Sequence, residues 1–138
     1  MVIPSVIKAK GVLMNLFTIK EKKRILQIIH YLITEKVEIV VDIKQSAQQF
    51  TTKLVKLPTD NGHGYLIIEK LYPEVGNSLI QSSPDAVFSF TLRGGKGLFS
   101  TKYRGINTQY PEFGLIADFP ATIQIEDKRR EERIENDL

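Results

Sequence analysis

The sequence predicts a mainly β protein: a small, split-barrel-like antiparallel barrel of six strands, with one N-terminal amphipathic α-helix and a charged C-terminal tail. Three observations support this prediction. One stretch has apolar residues at helical spacing, several later stretches are rich in strand-forming residues, and ten of the twelve residues from Glu126 to Asp137 are charged. At 138 residues, the chain is long enough for one domain with a hydrophobic core.

The helix is predicted between Lys20 and Lys36. Its apolar positions recur at helical spacing and form one face: Ile25, Ile28, Ile29, Leu32 and Ile33. Just before it, Thr18 and Glu21 have the spacing of a capping box. In that motif the threonine hydroxyl accepts a hydrogen bond from the amide three residues on, and the glutamate reaches back. The helix is therefore expected to start at this box and to cover an open end of the barrel.

Strand-like runs follow the helix and are rich in β-branched residues, which pack well on a pleated surface. They lie at 37–43, 50–57, 65–71, 87–93, 98–109 and 114–125. Turn-forming residues separate them, including the pair Pro73 and Gly76. The glycines from Gly94 to Gly97 lack the first glycine and the Ser or Thr of a Walker motif. They therefore predict a hairpin rather than a phosphate cradle.

Composition and motifs argue against several function classes. The chain has no cysteine, which removes disulfides, thiol nucleophiles and cysteine-based zinc sites. His30 and His63 do not form a pair at metal-ligand spacing, and nothing resembles a nucleophile elbow, so we expect no metal site and no enzyme. No uncharged run approaches the roughly 18 residues needed to span a bilayer. We expect a cytoplasmic protein without a membrane span.

The charged tail, 126–138, has two interpretations. As a partly frayed helix it would be only a solvated segment, with Glu126 favourably placed four residues before Arg130. As an extended segment it would place Arg129 and Arg133 around one compact anion, because guanidinium groups donate in a planar fork to phosphate and to the O6 and N7 edge of guanine. The mixture of signs argues against nonspecific nucleic-acid binding.

From Thr18 onward, the sequence resembles the N-terminal domain of YcgR-type flagellar brake proteins. In that family a leading helix and a small β-barrel run directly into a PilZ domain. The last strand of the family's barrel is similar to 114–125, commonly with a proline as at Pro120, and a cluster with two arginines follows it. The matching positions here are Arg129 and Arg133, with Lys128 and Arg130 beside them.

The resemblance implies a non-catalytic regulatory domain that responds to cyclic di-GMP and controls flagellar motility. Arg129, Arg133, Lys128 and Arg130 are then the expected ligand-binding residues, and no cofactor is expected. The resemblance divides the chain into a lead segment 1–17, a helix and barrel domain 18–125, and a linker 126–138.

The family's second motif, Asp or Asn, then Ser, then Gly, does not occur in this chain, so the PilZ barrel that completes the clamp is absent from it. We therefore expect the chain alone to bind cyclic di-GMP weakly or not at all. Flagellar motor or stator proteins, and a second copy of the chain, are the implied partners. The alternatives are a stand-alone protein-interaction module that binds no nucleotide, a single-strand nucleic-acid binder that stacks bases on Phe and Tyr, and an enzyme acting on a small anion.

Overall fold

The computed structural model describes residues 16–58, 64–109 and 113–127, which form nine strands and two helices. The helices are α1 (Lys22–Thr34) and α2 (Val75–Ser82). The strands are β1 (Leu16–Ile19), β2 (Ile39–Ile43), β3 (Gln49–Thr52), β4 (Leu54–Lys56), β5 (Tyr65–Ile68), β6 (Asp85–Leu92), β7 (Gly95–Asn107), β8 (Gly114–Asp118) and β9 (Ile123–Asp127).

The strands form one curled antiparallel sheet in the order β3-β2-β6-β7-β8-β5-β4. Its two end strands, β3 and β4, are separated in the chain by Lys53 alone, so they act as one bent strand that joins the two ends of the sheet. Across this join, the Thr52 hydroxyl donates to the Glu69 carbonyl oxygen at 2.7 Å. The predicted fold class, mainly β with a curled antiparallel sheet, is confirmed. With β3 and β4 counted as one, the sheet has eight strands rather than the predicted six, because β1 and β9 also belong to it.

β7 is the longest strand and connects two parts of the sheet. One of its edges pairs with β6 from Gly95 to Lys102. Its other edge pairs with β9 at Gly95 to Leu98 and with β8 from Tyr103 onward. β1 then pairs with the far edge of β9. The strands β1 and β9 therefore form an extension of the sheet beside the first half of β7.

The core is continuous and lies between the curled sheet and α1. The predicted helix face is confirmed: Ile25, Ile29 and Leu32 are buried, while Ile28 and Ile33 are partly buried against the same core. Phe99 of β7 packs between two rings of β6, with centroid distances of 5.4 Å to Phe88 and 6.1 Å to Phe90. Aromatic pairs at such distances add to the stabilisation from burial alone.

The predicted capping box is wrong. Thr18 lies in β1 and pairs with Gln124 of β9, so its backbone is extended and belongs to the sheet. α1 begins at Lys22, and Glu21 at its N-cap makes no side-chain capping hydrogen bond. The tertiary pairing of β1 with β9 therefore overrides a local capping pattern.

Helix α2 was not predicted, because Pro73 and Gly76 were assigned to a turn. Gly76 is inside the helix, where a Cβ would lie 2.6 Å from Cδ1 of the Phe50 ring. The glycine therefore allows the helix to contact the core closely. The side chain of Asn77 fixes the backbone that precedes the helix. Its Oδ1 accepts a hydrogen bond from the Leu71 amide at 2.7 Å, and its Nδ2 donates to the Leu71 carbonyl oxygen at 3.1 Å.

Two of the predicted strand runs are each divided into two strands. The run 50–57 bends at Lys53 to give β3 and β4. The run 114–125 breaks after Asp118, where Phe119 and Pro120 precede β9, because proline has no amide to donate to a sheet. The glycine-rich hairpin is confirmed: Leu92 pairs with Gly95 across a two-residue turn, and Gly94 there has a φ of 87°.

The predicted lead segment and linker lie mostly outside the described residues, so the division at 17 and 125 stays a prediction. Two strands reach across these limits, since β1 begins at Leu16 and β9 ends at Asp127. His63 also lies outside the described residues, whereas His30 is an exposed residue of α1. Among the described helices, none is long and apolar enough to cross a membrane.

Candidate functional site

The predicted ligand-binding residues Lys128, Arg129, Arg130 and Arg133 lie outside the described residues. The structure does describe the strand that leads into them. β9 is the last described element, and it is held on both edges: by β1 from Leu16 to Ile19 and by β7 from Gly95 to Leu98. The arginine segment therefore starts from a strand that is fixed within the sheet.

β9 is also anchored by its side chains. From Ile123 to Ile125 the strand alternates, with Ile123 fully buried and Ile125 packed against the core, while Gln124 is exposed; Glu126, the next residue, is also buried. This alternation is typical of a strand with one face on a core. Opposite Ile125 is Gly97 of β7, where a Cβ would lie 2.5 Å from Cε2 of Phe90 and 3.0 Å from Cδ1 of Ile125. Glycine at this position lets Phe90 and Ile125 fill the space between the two strands.

The end of β9 lies beside the tip of the β6–β7 hairpin. Asp127 pairs with Gly95, and Glu126 pairs with Lys96. Arg93 in the turn and Lys96 at the start of β7 are both exposed. Sequence reasoning assigned this stretch only a turn. The pairing of β7 with β9, which brings the turn next to the end of β9, has no local signal in the sequence.

The second half of β7 carries a different charge arrangement. Arg104 donates from Nε to Oδ1 of Asp118 at 2.7 Å and from a terminal nitrogen to Oδ2 at 2.8 Å. The carboxylate raises the pKa of the Arg104 guanidinium, first through the side-chain hydrogen bonds and then through its charge. Nζ of Lys102 lies 3.9 Å from Oδ1 of Asp85. The cations of this half are therefore matched by carboxylates of neighbouring strands.

A metal site and an enclosed anion site have little support in the part of the chain that is described. There is no group of three or more His, Asp or Glu side chains that could hold a metal ion among these residues. A groove of about 550 Å³ lies between β1 and the start of α1, with Lys20, Glu21 and Arg24 among its lining residues. Its charges are mixed, and it is open rather than enclosed, so it is not a defined anion site.

Comparisons with known proteins place the chain in a family. The sequence matches the PilZN domain of the flagellar regulator YcgR over residues 17–123. The fold is similar to the crystal structure of YcgR in complex with c-di-GMP from Escherichia coli, with a TM-score of 0.70 and 14% sequence identity. That match covers 83% of this chain and 48% of the other, so the chain spans about half the length of that structure.

At 14% identity, the structural similarity shows the fold alone. A comparison with curated protein sequences gives no significant match. The family match covers well over half of the chain and agrees with the resemblance found in the sequence. The chain belongs to the PilZN domain family of YcgR-type flagellar regulators.

Proposed function

We propose that this chain is the non-catalytic regulatory domain of a cyclic di-GMP-responsive protein that controls flagellar motility. The observation that carries the proposal is the family match over residues 17–123, which ends five residues before Lys128. The similar structure from Escherichia coli is a complex of YcgR with c-di-GMP. In this proposal, the PilZN domain holds one end of the arginine segment and a PilZ barrel supplies the rest of the ligand pocket.

Arg129 and Arg133 are the proposed clamp, with Lys128 and Arg130 contributing beside them. Cyclic di-GMP carries two phosphates and two guanines. Arginine can pair bidentately with both kinds of group and also stacks on purine faces, which lysine does less well. The firm anchoring of β9 supports this role, because a clamp needs one fixed end from which the arginines can reach the ligand.

The clamp requires a second surface. Ordering a long side chain at an interface costs about 0.5–1.5 kcal/mol. Without a second surface, the two arginines would incur this cost with no pocket to offset it. Glu131 and Glu132 between them reduce the local positive potential further. The chain alone is therefore proposed to bind the ligand weakly or not at all, and binding in the complete receptor would order the linker and fix the two barrels relative to each other.

The partners proposed for the domain are flagellar motor or stator proteins in the cytoplasm, with a second copy of the chain as a further possibility. A regulatory domain acts by presenting a surface whose orientation depends on the ligand. The barrel supplies that surface, and the linker sets its orientation.

The experiment uses the product of the natural reading frame beyond Leu138, called here the extended polypeptide. We expect it to contain a second β-rich domain with the Asp/Asn-Ser-Gly pattern and to bind cyclic di-GMP. Arg129→Ala or Arg133→Ala should abolish binding in calorimetric titrations. Arg104→Ala, which removes an exposed arginine in the other half of β7, should leave the affinity unchanged. Equal affinity of all four proteins would contradict the clamp.

The alternative is a protein-interaction module that does not bind nucleotide. The observation that favours it is a group of exposed apolar side chains at α2: Tyr72 is 73% exposed, Val75 is 52% exposed and Leu79 is 36% exposed. Val75 and Leu79 are one helical turn apart, so they lie on the same face. A reading frame that stops after Leu138 would favour this alternative over the cyclic di-GMP receptor.

A further inference from the structure

Strand β1 has one edge that no other described strand covers. Its inner edge pairs with β9 from Leu16 to Ile19, and β9 is its sole partner in the sheet that the described residues form. The opposite end of the sheet is covered differently, since Thr51 of β3 exchanges backbone hydrogen bonds with Tyr72 at 2.8 and 3.0 Å. An edge strand presents backbone groups to which another extended chain can pair. β1 is therefore the place where the barrel can accept a further strand.

The groove of about 550 Å³ runs along this edge of β1. Four consecutive residues, from Phe17 to Lys20, line it. Successive side chains of a strand point to opposite faces of the sheet, so a groove lined by all four follows the strand edge rather than one face. Ile125, which is opposite Phe17 in the β1–β9 register, also lines the groove and packs against the core. The groove thus has an apolar floor beside the backbone of the edge.

The helix side of the groove has a net positive charge. Lys20, Glu21 and Arg24 line this side, and none of them makes an ion pair with a described residue. Lys23, between them in the chain, is exposed as well. Three cations against one carboxylate favour an acidic partner. Exposed ion pairs contribute little to affinity, so these charges select the partner, whereas the strand edge and the apolar floor bind it.

We propose that the outer edge of β1 binds an extended acidic segment of a partner protein as an additional strand. Backbone hydrogen bonds supply the affinity, and alternate side chains of the added strand supply the specificity. One set of these side chains is apolar and contacts Phe17 and Ile125. The other set is acidic and lies on the face of Lys20, because paired strands share their faces.

The charge also distinguishes this partner from a second copy of the chain. A second copy would bring the same net positive charge to the edge, which disfavours self-pairing. The inference goes beyond the proposed function, because strand addition at β1 requires no nucleotide.

The test is an NMR titration of the isotope-labelled chain Met1–Leu138 with end-blocked peptides, without nucleotide. The probe is Thr-Val-Glu-Val-Glu-Val-Thr, and the control is Thr-Val-Lys-Val-Lys-Val-Thr, which has the same apolar side chains. The acidic peptide should shift the amide signals from Phe17 to Lys20. At about 50 mM salt it should bind at least about fivefold more tightly than the basic peptide.

Charge reversal in the chain tests which residues set this preference. Lys20→Glu/Arg24→Glu should remove or reverse the preference for the acidic peptide. Lys44→Glu/Lys70→Glu makes the same change in net charge at exposed positions away from the groove, and it should keep the preference.

Backbone methylation of the acidic peptide tests strand addition itself. Alternate amides of a strand point to the same edge, so methyl groups on the two glutamate amides and methyl groups on two valine amides block opposite edges. One methylated peptide should lose affinity by at least about tenfold, and the other should stay within about threefold of the parent. An equal loss for both peptides would overturn strand addition.

Other results would also overturn the inference. These are no binding of the acidic peptide at about 1 mM, equal affinity of the acidic and basic peptides, and signal changes centred on α2 instead of β1. Signals of β1 that change with protein concentration in the absence of peptide would assign the edge to a second copy and contradict the proposed partner. None of these outcomes depends on cyclic di-GMP binding by the extended polypeptide, so a failure of this inference is distinguishable from a failure of the proposed function.

Discussion

The two halves of β7 share one core but have different surroundings. The first half, Gly95 to Leu98, lies between β6 and β9 and is packed at Gly97, and its Lys96 makes no ion pair with the side chains that the structure describes. The second half, from Tyr103 onward, pairs with β8, and its Arg104 is matched by Asp118. The second half thus pairs its Arg104 within the barrel, whereas the first half lies beside β9, the last described strand. Folding depends on the shared core, whereas ligand binding is proposed to depend on the segment that follows β9.

The largest loss of stability is expected from a charge placed in the shared core, because it should disrupt both halves of β7 together. Leu32 and Ile29 are both fully buried. Leu32→Asp or Ile29→Asp would bury an unpaired carboxylate, and we expect a loss of about 4 kcal/mol or more from the free energy of unfolding. Because small domains have only about 5–15 kcal/mol in total, much of the protein should unfold.

Chemical denaturation followed by circular dichroism measures this loss. Gln27→Asp is the matched control, since Gln27 is exposed on the same helix and the new charge remains in water. The control should change the free energy of unfolding by less than about 1 kcal/mol. Equal losses for the buried and the exposed positions would show that the helix face is not packed as described.

The next largest loss of stability should be confined mainly to the first half of β7 and its neighbour β9. Gly97→Ala adds a Cβ where Phe90 and Ile125 already fill the space. Overpacking of this kind costs about 1–3 kcal/mol. Because Ile125 is displaced directly, amide hydrogen exchange in β9 should accelerate more than exchange in β8. Ser100→Ala, at an exposed position of the same strand, should change neither stability nor exchange. Uniform acceleration throughout the sheet would contradict the local origin of the effect.

A smaller loss of stability is expected from a change in the second half of β7. Arg104→Ala removes a two-bond ion pair with Asp118 that is largely exposed to solvent. Exposed ion pairs contribute little to stability. We expect the melting temperature to fall by less than about 3 °C, and the change to shrink as salt is added. A double-mutant cycle with Asp118→Ala in calorimetry isolates the pair, and a coupling that does not respond to salt would mean that the pair is shielded from solvent.

The smallest effect on stability should come from the linker. Arg129→Ala and Arg133→Ala are proposed to remove ligand binding from the extended polypeptide while leaving its melting temperature within about 1 °C of wild type, since surface substitutions away from packed features are nearly neutral. Differential scanning fluorimetry without ligand provides the comparison. A large fall in melting temperature would place these arginines in the fold rather than in the site.

The sequence predicted those features that depend on a local pattern. The face of α1 was visible because its isoleucines recur at helical spacing, and the β6–β7 hairpin was visible in its glycines. The capping box failed because Thr18 pairs with Gln124, more than a hundred residues away in the chain. α2 was missed because Gly76, which normally indicates a turn, here allows a helix to contact Phe50. Such features depend on contacts between distant residues, which no local pattern encodes.

The site was predictable to a different extent. The arginine pair was found through a family resemblance, and its residues lie beyond the described part of the chain. The position of the hairpin beside the end of β9 follows from the register of Gly95 with Asp127. In that register Gly97 leaves room for the side chains of Phe90 and Ile125. Sequence alone gave no reason to pair these strands. Fold class and family were therefore accessible from sequence, while the surroundings of β9 required the structure.

The central claim is that the arginines form only half of a ligand site and need a second domain to complete it. Calorimetric titration of cyclic di-GMP into the chain Met1–Leu138 tests this most directly. The account predicts no measurable binding, or an affinity far weaker than micromolar. A dissociation constant in the micromolar range or tighter for this chain alone would show that the PilZN domain holds a complete site and would contradict the account.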